Sequence, residues 1–233
     1  MSKEAILGAI RRGLKRGPLS ADAQTTLRER IARHPRHLTP GRTAVPRPEL
    51  IALFQSLVER EFGTVARVPD IDAVPDAVVT YLAGYNLPSI AVMAPHPALR
   101  AIPWSSRPLL MLHEGRAEAT DQVSIQHGWA AVAETGTLML PSAPDRPTTL
   151  NLLADTAIVV LRTSRVVGPY EDAWDLLRAE SGLNAGGPFM PRNVMLITGP
   201  SRSADIEQTL ELGAHGPRRL HIVLIEDDPT ARG

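Results

Sequence analysis

Short aliphatic runs recur along this chain from Val65 onward, separated by stretches long enough for helices, and few architectures accommodate that rhythm. Strand candidates are Val65–Val68, Ser89–Met93, Leu109–Leu112, Val123–Gln126, Thr137–Leu140, Ala157–Leu161, Val194–Thr198 and Leu220–Ile225. Most are β-branched or aliphatic without a polar residue at every second position, as expected of strands covered on both faces. Helical spacing predicts helices over Glu49–Phe62, near Pro75–Tyr85, over Asp172–Ala179 and over Ala204–Leu212. The alternation therefore predicts an α/β fold with a layered, mostly parallel sheet.

Upstream of this region the pattern changes. Ile6, Ile10 and Leu14 recur at helical spacing until Gly17-Pro18 stops them, and Ser20 is placed to cap a second helix through about Arg33. His34–Pro48 contains four prolines and reads as an extended linker. We therefore expect a basic helical arm and linker over residues 1–47, followed by the α/β domain over 48–233. The arm holds eleven Lys or Arg against three acids, a surplus of eight positive charges that the remaining chain cancels to a net charge of zero. An acidic partner surface would suit such an arm. No aromatic residue interleaves its cations, which argues against nucleic acid.

Composition narrows the chemistry. With no cysteine, these 233 residues can supply no thiolate ligand to zinc or to an iron–sulfur cluster, and the histidine spacings match no metal signature, so no metal site is expected. No uncharged apolar run approaches a membrane span, and Met1–Leu7 carries charge too early for a signal peptide, so a cytoplasmic protein without membrane insertion is expected. There is no Walker-type phosphate loop. Gly182–Gly187 neither follows a strand nor opens a helix in the dinucleotide pattern.

Two segments hold more polar chemistry than a fold alone requires. In Ala133–Leu140, a carboxylate (Glu134), two hydroxyls (Thr135 and Thr137) and Gly136 precede a strand, an arrangement suited to an anionic or hydroxylated small ligand. Glu134 could act as base or nucleophile, or simply satisfy a turn. Arg146, in the proline-rich loop that follows, could clamp a carboxylate. The second segment runs from Thr198 through Ser201 and Arg202 to Asp205 and Glu207, from a strand end into the expected helix. Capping explains much of it, yet a strand end followed by a helix is where open α/β sheets place ligands. Beyond it, Gly213 is a natural helix stop, and His215 in the next turn could be a general acid–base. Glu134, Thr137, Ser201 and His215 are expected to border one cleft.

These two segments, in this order, resemble the motifs of the lactate utilization protein C family, the LUD-domain proteins. Ala133-Glu134-Thr135-Gly136-Thr137 is similar to the family's first signature, and Thr198–Ser201, Ala204–Glu207 and Gly213–Pro217 are similar to its C-terminal one. Ala131 and Ala214 depart from its usual glycine and valine. The resemblance covers roughly residues 50–226 and is weak in the arm. It implies a fold similar to the sugar-isomerase and CoA-transferase superfamily, and a non-redox role beside iron–sulfur partner proteins in oxidising L-lactate to pyruvate, with a small hydroxy or keto acid as ligand. No cofactor is then expected on this chain, the clusters lying in the partners. Two alternatives stand beside it: an acyl- or CoA-transfer enzyme with Glu134 as nucleophile, and a regulatory or scaffolding protein with a vestigial pocket. The resemblance hands over no catalytic assignment, so Glu134 and His215 are candidate catalytic groups, and Thr135, Gly136, Thr137, Arg146, Ser201, Arg202 and Asp205 candidate ligand-binding groups.

Overall fold

A computed structural model describes residues 2–15, 17–181, 190–204, 210–213 and 215–227. The chain divides into two units, Met1–Thr39 and Pro40–Gly233. In the first, α1 (Lys3–Gly13) and α2 (Ala21–Arg33) are capped by the Ser2 and Ser20 hydroxyls, which accept the N–H groups of Ala5 and Ala23. Neither helix buries a residue. Among the described residues, no helix is long and apolar enough to cross a membrane.

The second unit opens on α3 (Arg47–Arg60) and continues through β1 (Thr64–Val68), α4 (Val74–Gly84), β2 (Ile90–Met93), a one-turn α5 (Pro97–Arg100), β3 (Met111–Glu114) and β4 (Val123–His127). There follow β5 (Ala130–Val132), β6 (Thr137–Pro141), β7 (Thr156–Arg162), β8 (Val166–Val167) and α6 (Tyr170–Glu180). The last elements are β9 (Val194–Ile197), β10 (Arg202–Ala204), β11 (Leu210–Leu212) and β12 (Arg219–Ile225). Residues 40–48, which read as linker, pack with this unit: Val45 lies against its core, and Arg47 donates to the carbonyls of Thr163 and Val166.

Six strands form one sheet in the order β1-β12-β7-β4-β2-β3, every neighbouring pair parallel. Both faces of β7 are covered, which is why its sequence is continuously apolar. Ile158 and Val160 join Val92, Ile125 and Val223 in a core beneath α4 and α5, whereas Ala157, Val159 and Leu161 join Ile222, Leu224 and the α3 residues Ile51, Phe54 and Val58. A second sheet, β8-β5-β6-β9, packs on the α3 side, and Trp129, Val132 and Met139 on its outer face meet Ala173 and Leu177 of α6. The layered, mostly parallel α/β architecture read from the sequence is the one observed.

The helix expected over Ala204–Leu212 is not found at either end: Arg202–Ala204 and Leu210–Leu212 pair antiparallel, and residues 205–209 lie outside the described set. Capping residues and first-turn acids are compatible with a helix there, but strand pairing closes the loop instead, so Gly213 (φ +86°) turns out of a strand rather than ending a helix. Gly182–Gly187 likewise lie outside the described residues.

Two tight turns press on the C-terminal end of α3. Gly136 has φ +69°, and a Cβ there would stand 2.9 Å from both the Leu57 carbonyl carbon and the Val58 nitrogen. Gly199 has φ +74° and would drive a Cβ into the Glu61 carbonyl. Gly136→Ala is expected to cost about 1–3 kcal/mol of stability, combining backbone strain with overpacking, as read by chemical denaturation. A loss within 0.5 kcal/mol would mean that the turn is not held this tightly.

Inside the first core, His221 stacks on Tyr81 with ring centroids 3.9 Å apart and shares a 2.8 Å hydrogen bond between its Nδ1 and the Thr64 hydroxyl. Its Nε2 is buried without a partner. Burial pushes this imidazole from 6.5 down to about 4. The unfolded chain therefore binds a proton that the folded chain refuses, so the stabilising contribution is complete above pH 6.5 and is lost as pH falls towards 4. Urea unfolding at stepped pH is expected to show this decline at up to about 1.4 kcal/mol per pH unit for this group, and His221→Asn should flatten it. An unchanged slope in that variant would remove His221 as its source.

Candidate functional site

Parallel pairing brings the C-terminal ends of β2, β4 and β7 to one edge of the sheet, the position at which open α/β sheets bind ligands. His127 is the last residue of β4, Arg162 the last of β7, and His96 follows β2 by three residues. They line a cavity of about 560 Å³ with Trp129, Arg146, Arg165 and Glu180.

The two imidazoles stack face to face, with centroids 3.8 Å apart and planes 9° from parallel. His96 Nδ1 accepts the Ala98 N–H at 3.2 Å. That bond places the proton of the neutral ring on Nε2, which faces Asp145 Oδ2 at 3.6 Å. Burial holds His96 below its ordinary value, opposed by Asp145. His127 is pushed down to about 3, first by burial and then by His96 and the guanidinium groups of Arg146, Arg165 and Arg162. Every charge acting on it has the same sign. Among the described residues its buried Nδ1 has no hydrogen-bond partner.

The three arginines differ in what they already hold. Arg165 donates to the Trp129 carbonyl at 2.6 Å and pairs with Glu180, which also accepts the Trp129 indole N–H at 3.0 Å. Among the described residues Arg162 meets one group, Asp227, at 3.5 Å, and that carboxylate already accepts from the Ser164 N–H, the Ser164 hydroxyl and the Thr163 hydroxyl at 2.9, 2.8 and 3.1 Å. Among the described residues Arg146 is the least satisfied: its Nε is buried without a hydrogen bond, the Asp145 carboxylate stands 3.8 Å away, and burial lowers its pKa. A half-buried guanidinium that lacks a hydrogen-bonded counter-charge is partly desolvated, and an anion entering the cavity offsets that cost.

The residues of the first motif sit elsewhere. Glu134 Oε2 accepts the Tyr170 N–H at 3.3 Å and Oε1 lies 3.7 Å from Arg42. Pro169, the residue before α6, offers no side-chain cap, so Glu134 supplies one across 36 residues. Thr135 and Thr137 share a 2.7 Å hydrogen bond and both bond the Tyr170 hydroxyl at 3.0 Å. Thr137 also reaches the Thr198 hydroxyl at 2.6 Å and is fully buried.

Thr198 opens the second segment and lines a smaller cavity of about 240 Å³ together with Ser201, Arg202 and His215. Ser201 is a backbone hub: its N–H donates to the Pro217 carbonyl at 2.8 Å, its carbonyl accepts from Gly213 at 3.0 Å, and its hydroxyl accepts the His215 N–H at 3.2 Å. Arg202 donates to Glu61 at 2.6 Å and lies over the Phe62 ring; its hydrogen bond is the largest cause holding the Glu61 carboxyl below its ordinary range. Asp205 is outside the described residues.

The expected common cleft is thus met in part. Ser201, Arg202 and His215 share a cavity, Thr137 touches its wall through Thr198, and Glu134 does not line it. Arg146 belongs to the larger cavity, whose other polar groups, His96, His127, Arg162 and Arg165, sequence reasoning missed. A usable signal existed: His127 and Arg162 directly end apolar strand runs, and His96 follows one closely.

The LUD domain family model matches residues 116–225. An uncharacterised protein of Neisseria meningitidis is 43% identical over 97 residues, covering 42% of this chain and 39% of that one. Lactate utilization protein C of Bacillus subtilis is 36% identical over 105 residues, covering 45% and 42%. The matched stretches therefore span less than half the length of these curated relatives. The crystal structure of a DUF162 family protein from Deinococcus radiodurans shares the fold, with a TM-score of 0.57 and 21% identity over 78% of this chain and 99% of that one. Residues 116–225, which hold both motifs and most of the cationic cavity, are thus similar to the LUD domain found in these relatives.

Proposed function

We propose that this chain binds the carboxylate of a small 2-hydroxy or 2-keto acid, L-lactate or pyruvate, in the histidine–arginine cavity, as a non-redox component of a lactate-utilization system. The observation that carries the reading is the half-buried Arg146 guanidinium, whose buried Nε has no hydrogen-bond partner among the described residues, beside two neutral imidazoles at the carboxyl edge of the sheet. A carboxylate there would gain charge-assisted hydrogen bonds from Arg146 and from the Nε2–H of His96. The name carried by the Bacillus relatives supports the metabolic assignment. Oxidation itself then falls to partner proteins with iron–sulfur clusters, because this chain has no cysteine to hold one.

Anion binding next to a neutral imidazole raises that imidazole's proton affinity, so binding takes up a proton when the pH is low enough. Titration calorimetry with L-lactate and pyruvate is expected to give an affinity that is flat above pH 6.5 and tightens below it, by at most about tenfold per unit for each proton taken up. Arg146→Gln should weaken binding about tenfold or more, the loss expected for a charge-assisted hydrogen bond. Equal affinity in the variant would discard this site.

Glu134 serves here as a positioning residue that fixes the start of α6. Glu134→Gln keeps an oxygen for the Tyr170 N–H, so a strain lacking the gene should regain lactate-dependent growth with Glu134→Gln and fail to regain it with Arg146→Gln. Covalent trapping of Glu134 by an acyl thioester, together with loss of growth in Glu134→Gln, would favour acyl transfer instead.

A further inference from the structure

We infer that the larger cavity has a second anion subsite, of the phosphate class, at Arg162, beside the carboxylate subsite at Arg146. The inference rests on the reading of Arg146 just given and extends it to a second group in the same space. Size is the first reason. About 560 Å³ lies within the range of roughly 300–1,000 Å³ that encloses drug-sized ligands, and a three-carbon acid fills only a fraction of it.

Charge is the second reason. Arg165 is spent on Glu180 and the Trp129 carbonyl, whereas Arg162 is not. Its one carboxylate contact among the described residues, Asp227, is long at 3.5 Å and shared with three shorter hydrogen bonds from Ser164 and Thr163. Arg162, at the carboxyl end of β7 and two strands from β2, lines the cavity from the central strands of the sheet. Ser142 adds a hydroxyl on the same wall: its oxygen accepts the Asn193 N–H at 3.1 Å, and among the described residues its own proton has no acceptor. A guanidinium fork with a free hydroxyl donor matches a tetrahedral oxyanion, which offers more acceptor oxygens than a second carboxylate.

The electrostatics agree. Arg146, Arg162 and Arg165 all act on His127, with no opposing carboxylate among the charges that shift it. Asp145 faces His96 and Arg146, Glu180 faces Arg165, and Asp227 faces Arg162, so the carboxylates stand beside the cations and His96 while His127 meets the positive side.

The test is calorimetric titration of the full chain with inorganic phosphate at constant ionic strength and pH 7.5, with and without saturating L-lactate, using chloride as a control. Phosphate should bind in both conditions with affinities within about threefold of each other. Arg162→Gln should weaken phosphate about tenfold or more while leaving L-lactate within threefold, Arg162→Lys should restore part of the loss, and Arg146→Gln should show the reverse selectivity. Competitive displacement of L-lactate by phosphate would reduce the cavity to a single anion site and overturn the inference. Lactate binding without any phosphate binding, or phosphate affinity indifferent to Arg162→Gln, would also overturn it. If L-lactate fails to bind, the function proposed above falls, and the response of phosphate to Arg162→Gln still decides this subsite.

Discussion

Parallel pairing of β7 with β4 and β12 is the constraint from which the rest follows. Parallel neighbours cannot be joined by hairpins, so each return crosses a face of the sheet and every strand ends at the same edge. Covering both faces makes the central strands continuously apolar. It also leaves the carboxyl edge as the place where chain direction exposes polar residues without breaking the core. His127 and Arg162 are the last residues of their strands and appear there for that reason.

The two signature segments act first on each other and on α3. Gly136 and Gly199 both fold back over its last turn, where Leu57, Val58 and Glu61 leave no room for a side chain. The hydroxyls of Thr137 and Thr198 then join the two turns, and Tyr170 adds the start of α6. Glu134 completes the arrangement by capping that helix. Residue types that suggest a ligand-binding turn thus do structural work in the first segment. Ser201 similarly spends its backbone groups and hydroxyl oxygen on closing the turn that carries His215.

In the larger cavity, desolvation and charge work in the same direction on His127, whereas Asp145 opposes burial at His96. Burial disfavours the imidazolium, the guanidinium groups oppose it further, and both rings stay neutral and stacked. Arg146, unable to shed its proton, remains charged where water is scarce. A cation held in this way is stabilised when an anion approaches it.

Much of the fold was legible before any coordinates because hydrophobic periodicity is local. The runs at Ala157–Leu161 and Leu220–Ile225 read as covered strands, and Ser20 stands where a helix cap belongs. Cysteine-free composition, likewise, settled that no thiolate-held cluster sits on these residues. What the linear chain could not disclose was which polar residues meet. Glu134 reaches Tyr170 across 36 residues and Arg202 reaches Glu61 across 141, and both partnerships depend on layers packed together by the parallel sheet. Capping signals around Ala204 were equally compatible with a helix, and cross-strand pairing overruled them. His96, His127, Arg146 and Arg162 span 67 positions in sequence and carry no motif; only the shared edge of β2, β4 and β7 makes them one cavity.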